Sequence, residues 1–560
     1  MSVLAERYYL GIDVGTASAR AGIFTAAGER VGMGAHPLQI FRPRDDHVEQ
    51  SSDDIWRACG AATRAALAEW GGDPAHIAGI GFDATCSLVA LGDDDAPVSI
   101  STTGAPEQNV VMWMDHRAIP EAQRINGRGH EVLRYVGGVI SPEMQTPKLL
   151  WLKEHLPACW KQTRRFLDLP DFLTYRATGV DVRSLCSTTC KWTYLGEHAA
   201  GTAAGWQSDF FRSVGLGELA DEGFRRIGTS IRPMGERIGP LRESSARELG
   251  LTAGTPVGVS IIDAHAGGLG LLGVLVDGTA PTESALEERL ALIGGTSSCH
   301  MAVSRAPRFP AGIWGPYYSA MIPGLWLTEG GQSATGALIE HVIDAHARGA
   351  ELRARARGEG TTVYALLNEV LERLAEGRPV PATLTQELHV LPDFHGNRSP
   401  RADPTLRGMI SGLRLTDSAE SLALVYLATI QAIAHGTRHI VDTMNGSGFR
   451  ISTLVACGGD TKNPLFVREH ADVTGCRVVL PREPEAVLLG AAVLGCVAAG
   501  EQPSLLAAMA RMSGEGVVLS PPAADVRAYH ERKHRVFQRM YADQMAYREL
   551  MLRPGAGLDQ

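Results

Sequence analysis

Between Tyr8 and Val31 apolar residues fall in two runs, Tyr8–Val14 and Ala19–Phe24, separated by Gly15-Thr16-Ala17-Ser18 and closed by Ala26-Ala27-Gly28-Glu29. That pattern predicts a β-hairpin. One acid, Asp13, interrupts the first run, and an ionised carboxylate inside an apolar strand is costly unless it meets solvent, a cation or donors. Gly15 permits close backbone approach, while Thr16 and Ser18 add hydroxyl and amide donors of the kind that hold phosphate oxygens. Acid, glycine and hydroxyls together point to Mg²⁺ and phosphate; the alternative is a surface hairpin with an incidental acid. The device recurs about half a chain later, where RLALIGGTSSCHMAV places Gly294-Gly295-Thr296-Ser297-Ser298 between two apolar runs. Such a repeat is the trace of a duplicated domain. Two facing turns would grip a polyphosphate without a lysine-bearing P-loop, and no G-x-x-x-x-G-K-[ST] is present.

The rest of the pattern alternates strands and helices. Ser51-Ser52-Asp53-Asp54 offers N-caps to a helix over Ile55–Trp70. Ile77–Phe82 reads as a buried strand ending in the small polar residues Asp83–Ser87, the strand edge where α/β proteins bind ligands. Val110–Met114 is a strand followed by Asp115-His116-Arg117, read either as ligand contacts or as a structural ion pair. Helices are predicted over Pro120–Tyr135, Pro147–Leu156 and Asp171–Thr178. Lys191, in an aromatic setting, should pair with an acid or bind an oxygen-rich ligand. Pro256–Asp263 is a strand ending in an acid placed for proton abstraction or for capping a helix. In the second half, Trp326–Gln332 carries Glu329 at a strand exit. The charged stretch His346–Glu376 reads as a peripheral insertion, and Leu422–Met444 as a long amphipathic helix. Leu454–Cys457 is a strand leading through Gly458-Gly459-Asp460-Thr461 into a helix behind Asn463-Pro464. Helices over Ala486–Ala498 and Val526–Leu552 complete the chain.

At 560 residues the chain exceeds one ordinary core, so two domains are expected, 1–270 and 271–560. A formal charge of −9, with Lys and Arg dispersed, argues against nucleic acid and for small-molecule partners. Nine cysteines without a C-x-x-C pair fit a reducing compartment; Cys186 and Cys190, the nearest two, lack the company that a zinc site needs. No signal-peptide pattern opens the sequence and no apolar run is long enough to span a bilayer, so a cytoplasmic protein is expected, with a homodimer left open.

Two motifs are weighed and set aside. Gly268-Leu269-Gly270-Leu271-Leu272-Gly273 satisfies G-x-G-x-x-G, but its glycines begin five residues after the strand ends, whereas a dinucleotide fingerprint needs them in the first turn. His435 and His439 are spaced i, i+4 without the glutamate of a zincin.

Taken in order, Gly11-Ile12-Asp13-Val14-Gly15-Thr16, Trp113-Met114-Asp115-His116-Arg117-Ala118, Pro147–Leu152, Asp263-Ala264-His265, Gly294–Ser298 and Gly458–Phe466 make a chain that resembles the FGGY carbohydrate kinases, and within them the pentulose kinases. The resemblance covers nearly the whole length. It implies two actin-like, ribonuclease H-like α/β domains with a catalytic cleft between them, and ATP with Mg²⁺ as cofactors. It further implies Asp263 as general base, Asp13 near Mg²⁺, Gly15, Thr16, Ser18, Gly295 and Thr296 at the phosphates, and Gly458, Gly459 and Asn463 at the adenosine. Asp460 stands where many relatives carry glycine or a small residue. Thr85-Cys86-Ser87-Leu88-Val89 is similar to a stretch associated with D-ribulose kinases, and Thr85, Asp115, His116, Lys191 and Glu329 are the implied sugar contacts. The expected reaction is phosphorylation of the terminal hydroxyl of a ketopentose, D-ribulose before L-ribulose before a polyol such as ribitol. A non-metabolic actin-like ATPase and a nicotinamide-dependent dehydrogenase are the rivals.

Overall fold

The computed structural model describes residues 6–198 and 205–552. Its first sheet is built around β1 (Tyr8–Val14), which pairs antiparallel with β2 (Ser18–Thr25), itself antiparallel to β3 (Arg30–Pro37). Helix α1 (Ser52–Trp70) then crosses to β4 (Ile77–Ala84), parallel to β1 on its other edge. The helix starts where the sequence places it: Ser51 Oγ accepts the Asp54 N–H at 3.3 Å, and Gly71 ends it in the left-handed conformation. Later come α2 (Leu185–Lys191), β5 (Pro256–Gly258), β6 (Ile261–Ile262), both strands parallel to β4, and α3 (Asp263–Leu272).

The second half repeats the plan. β7 (Arg289–Gly294), β8 (Ser298–Ser304) and β9 (Trp326–Gln332) form an antiparallel meander. Helix α4 (Ala419–Gly446) crosses to β10 (Thr453–Gly458), parallel to β7, and α5 (Pro464–Thr474) to β11 (Arg477–Leu480), parallel to β10. Each half therefore has strand order 3-2-1-4-5 at the centre of a seven-stranded sheet. The central strands β1, β4 and β7 are buried along nearly their whole length, because elements cover both faces.

Helix α6 (Ala486–Ala498), apolar all round, packs on β1, β4 and α3, so the last third of the chain returns to the first sheet. Its approach depends on glycines facing it: a Cβ on Gly11, Gly79 or Gly81 would run into the Leu488, Gly495 or Ala491 carbonyl oxygen. Helix α7 (Ala524–Leu552) lies against α4 and α5.

The helix expected over Pro120–Tyr135 is two pieces, Ile119–Asn126 and a 3₁₀ segment Glu131–Val136. Gly127 and Gly129, the latter at φ 61°, break it. No helix among the described residues is long and apolar enough to cross a membrane.

Candidate active site

Three acids meet at the ends of three adjacent parallel strands. Asp13 and Asp83 are partners in the β1–β4 register, Asp83 pairs with Ile261 of β6, and Asp263 opens α3 just beyond that strand. Asp13 is buried and accepts the Arg20 Nε–H at 2.7 Å; Arg20 also reaches Glu485 Oε2 at 2.8 Å, tying the hairpin to the residue before α6. Asp83 is wholly buried, and no donor group among the described residues reaches either of its oxygens. Burial first, then the charge and carboxyl of Asp13 that it faces, then Asp263, push its pKa well above the carboxylate range. Asp263 Oδ1 accepts the Ala264 N–H at 2.7 Å, and burial with the nearby Asp13 charge raises its pKa to about 6. Its place at a helix start serves both alternatives read from the sequence, since a short cap-like contact uses one oxygen and leaves the other. Asp13 and Asp83, facing carboxylates of which Asp83 has no donor, are hard-oxygen groups of the kind that suit a divalent cation such as Mg²⁺.

The two glycine turns each close on a glycine N–H, the second with one residue fewer. Gly15 N–H closes on Ser18 O at 3.0 Å, and Gly295 N–H on Ser297 O at 3.0 Å. Thr16 Oγ1 accepts the Trp113 indole N–H at 3.1 Å. Gly458, at φ 98°, pairs with Gly294 so closely that a Cβ would strike the Gly294 carbonyl. Gly295, Thr296, Gly459, Asp460 and Asn463 line one cavity of about 400 Å³, within the size range of nucleotide-sized ligands. Asp460 accepts the Thr335 hydroxyl at 3.1 Å, and burial raises its pKa to about 6. Asn463 caps α5, Oδ1 accepting Leu465 N–H at 3.2 Å, and donates to the Tyr426 hydroxyl at 2.7 Å. Asn368 donates to the same Oδ1 at 3.1 Å, and Tyr364 lines the cavity. Both belong to the stretch 346–376, which is therefore not peripheral: its second helix, Val363–Ala375, walls this cavity.

His265 and Lys191 lie near enough to Asp263 to counter the rise in its pKa, and Glu329 reaches His265. Glu329 Oε2 in β9 lies 3.3 Å from His265 Nε2 in α3, joining the two halves. Burial opposes the Glu329 charge, but His265 and Lys191 outweigh it and lower its pKa. Lys191 makes no hydrogen bond or ion pair among the described residues, and Cys86, Glu329, Tyr317 and Cys190 hold its pKa well above the usual value against burial. Thr85 is buried, its hydroxyl 3.2 Å from that of Ser87. His116 pairs with Glu143 at 3.4 Å, which raises its pKa. Asp115 turns out to be structural. Its oxygens accept Arg117 Nε–H and Nη2–H, each at 2.8 Å, and the Val48 N–H at 2.6 Å, all buried, so the expectation that it contacts sugar gives way to the ion-pair alternative.

The family model described as the N-terminal domain of the FGGY family of carbohydrate kinases matches residues 8–270, and that of the C-terminal domain matches 290–499. The chain belongs to the FGGY carbohydrate kinases. An FGGY carbohydrate kinase domain-containing protein of Xenopus laevis is 50% identical over 98% of both chains. A D-ribulokinase of Saccharomyces cerevisiae is 40% identical over 88% of this chain and 72% of its own. The crystal structure of a xylulose kinase from Rhodospirillum rubrum superposes with a TM-score of 0.76 at 21% identity, covering 97% of this chain and 99% of the other. This FGGY kinase is thus an ATP-dependent sugar kinase with two ribonuclease H-like domains, and the alternative of a non-metabolic actin-like ATPase falls away.

The kinase's glycine decoy has a packing explanation. Gly268 and Gly270 lie in α3 and Gly273 caps it, and Cβ atoms there would meet Met321, Ala486 and Met509 with Ser513. They admit close neighbours and form no phosphate turn. His435 and His439 face α7, where His435 Nδ1 lies 3.2 Å from His534 Nδ1. Sequence reasoning missed Asp83, Arg20, Glu485 and Glu143. Asp83 looked like one of five small polar residues at a strand end, and only the register with Asp13 singles it out.

Proposed function

We propose that this FGGY kinase transfers the terminal phosphoryl group of ATP to the terminal hydroxyl of a ketopentose, D-ribulose giving D-ribulose 5-phosphate. The observation that carries the reading is Asp263, whose pKa burial and the Asp13 charge raise to about 6 with His265 and Lys191 as the nearby cations. An alcohol is a poor nucleophile at neutral pH, so Asp263 accepts its proton as the new O–P bond forms and the bond to the leaving ADP breaks. Lys191 donates to sugar oxygens, and Glu329, fixed by His265, accepts from a sugar hydroxyl. Gly15, Thr16 and Ser18 on one side and Gly295 with Thr296 on the other present amide and hydroxyl donors to the phosphates. The cavity walled by Gly459, Asp460 and Tyr364 takes the adenosine, with Gly458 setting the approach of its turn and Asn463 holding the helix behind it. Asp13 and Asp83 would hold Mg²⁺, which would supply positive charge against the phosphate oxygens.

The isomer rests on Thr85–Val89 and on the yeast relative, a D-ribulokinase; L-ribulose is the second reading, supported by the resemblance of Lys191 and Glu329 to the sugar-holding positions of L-ribulose kinases. A coupled ADP assay across D-ribulose, L-ribulose, D-xylulose, ribitol, erythritol and glycerol tests it. The highest kcat/KM is expected with D-ribulose, and a polyol preference would reject the ketopentose assignment.

A further inference from the structure

The second residue after Asp263 completes a cluster whose other two members lie far away in sequence. Cys186 and Cys190 are one turn apart on α2, and His265 faces them from α3. All three are buried, the most exposed at 1%. Cys186 Sγ is 3.0 Å from His265 Nδ1, and the two sulfurs and a ring nitrogen all fall within 4.8 Å of one another. Two sulfurs and an imidazole nitrogen at such separations can reach one tetrahedral ion, for which Zn–S is about 2.3 Å and Zn–N about 2.0–2.1 Å. The ring also has the partner that metal-bound imidazoles use: its other nitrogen, Nε2, contacts the Glu329 carboxylate at 3.3 Å, which orients the ring and leaves Nδ1 toward the thiols. The company that the cysteine pair lacked in the sequence is therefore His265.

We propose that Cys186, Cys190 and His265 form a site for a thiophilic divalent cation of the zinc class, and that its occupancy inhibits the kinase by competing with the sugar. Sulfur donors separate this site from the oxygen-only Asp13–Asp83 set, since Mg²⁺ avoids thiolates and zinc accepts them. Three protein donors leave a position for water or another small ligand. Binding displaces the two thiol protons to buffer. The inhibitory half rests on the sugar assignment above: Lys191 directly follows Cys190, and Glu329 is the carboxylate that His265 holds. An ion bound to His265 and Cys190 fixes both at the floor of the sugar site.

The reduced, chelator-treated full chain is titrated with Co²⁺ and then Zn²⁺ in excess Mg²⁺. One ion per chain is expected, with a thiolate-to-cobalt charge-transfer band that Zn²⁺ abolishes. X-ray absorption of the zinc-loaded wild type should give two sulfurs at about 2.3 Å and lighter ligands at about 2.0–2.1 Å. Cys299→Ser should keep the band, and Cys186→Ser and Cys190→Ser should each lose it. A folded wild type without the band, a shell without sulfur, or a band that survives in both cysteine variants overturns the site. These readouts need no turnover, so they stand apart from the kinase assignment. In the ADP assay, Zn²⁺ should raise the KM for sugar tenfold or more and leave that for ATP unchanged; binding without this rise overturns the inhibitory role.

Discussion

The base role proposed for Asp263 depends on the pH range in which it is charged. Burial and the Asp13 charge move its pKa to about 6, well above the ordinary Asp value near 3.9. The base form is the deprotonated one, so kcat/KM for sugar should fall about tenfold per pH unit below about 6 and level off above it. A pH–rate profile checks this, and an acid limb near 4 would contradict it. Lys191 makes no hydrogen bond or ion pair among the described residues, and its charge is supported by Cys86 and Glu329. Lys191→Met should raise the sugar KM tenfold or more, on the scale of about 1.5–3 kcal/mol for a charged hydrogen bond, with little change in the KM for ATP. At this scale the sequence was partly legible. Asp13 stood out as the one acid in an apolar strand, and Asp263 as an acid at a strand's end. Asp83 did not, because its meaning comes from a cross-strand neighbour seventy positions away in numbering. Asp115 read equally as a ligand contact or as the partner of Arg117, and the buried ion pair between them favours the second.

Elements were easier to read than their partners. Helix α6 was visible as an apolar run, and β1 and β4 as strands, but nothing in the order of residues said that this helix lies on those strands. The glycines carry that contact. Gly81→Ala would push a methyl into the Ala491 carbonyl and should destabilise the fold by about 1–3 kcal/mol, read from urea midpoints. A second contact concerns α7. His435 faces His530 and His534 there, with His439, Lys533, Arg438, Arg401, Glu469, Glu531 and Asp442 around them. Burial, reinforced by the nearby cations, lowers His530 to about 3 and His439 and His534 to about 4. An unfolded histidine titrates near 6.5. The stability these neutral rings contribute is therefore present above about 6.5 and is lost as pH falls toward 4, because the unfolded chain binds protons that the fold refuses. Hydrogen-exchange protection of α7 should drop over that interval before that of β1; uniform loss would contradict it.

The whole molecule is two copies of one plan closed around a cleft. The duplication was legible, because a strand, a glycine turn and a returning strand leave the same pattern twice. The seam was not: Arg20 to Glu485, His265 to Glu329 and Tyr135 stacked on Trp326 at 6.1 Å all join residues hundreds or dozens of positions apart. That seam brings His265, two residues after Asp263, to Glu329, and the proposed role of Asp263 as the base beside it is the claim everything else depends on. Its most direct test is single-turnover phosphoryl transfer by Asp263→Asn, with ATP affinity measured alongside. The account predicts that ATP still binds while the transfer rate to D-ribulose falls by on the order of 10²–10⁴-fold; a transfer rate close to wild type would contradict it.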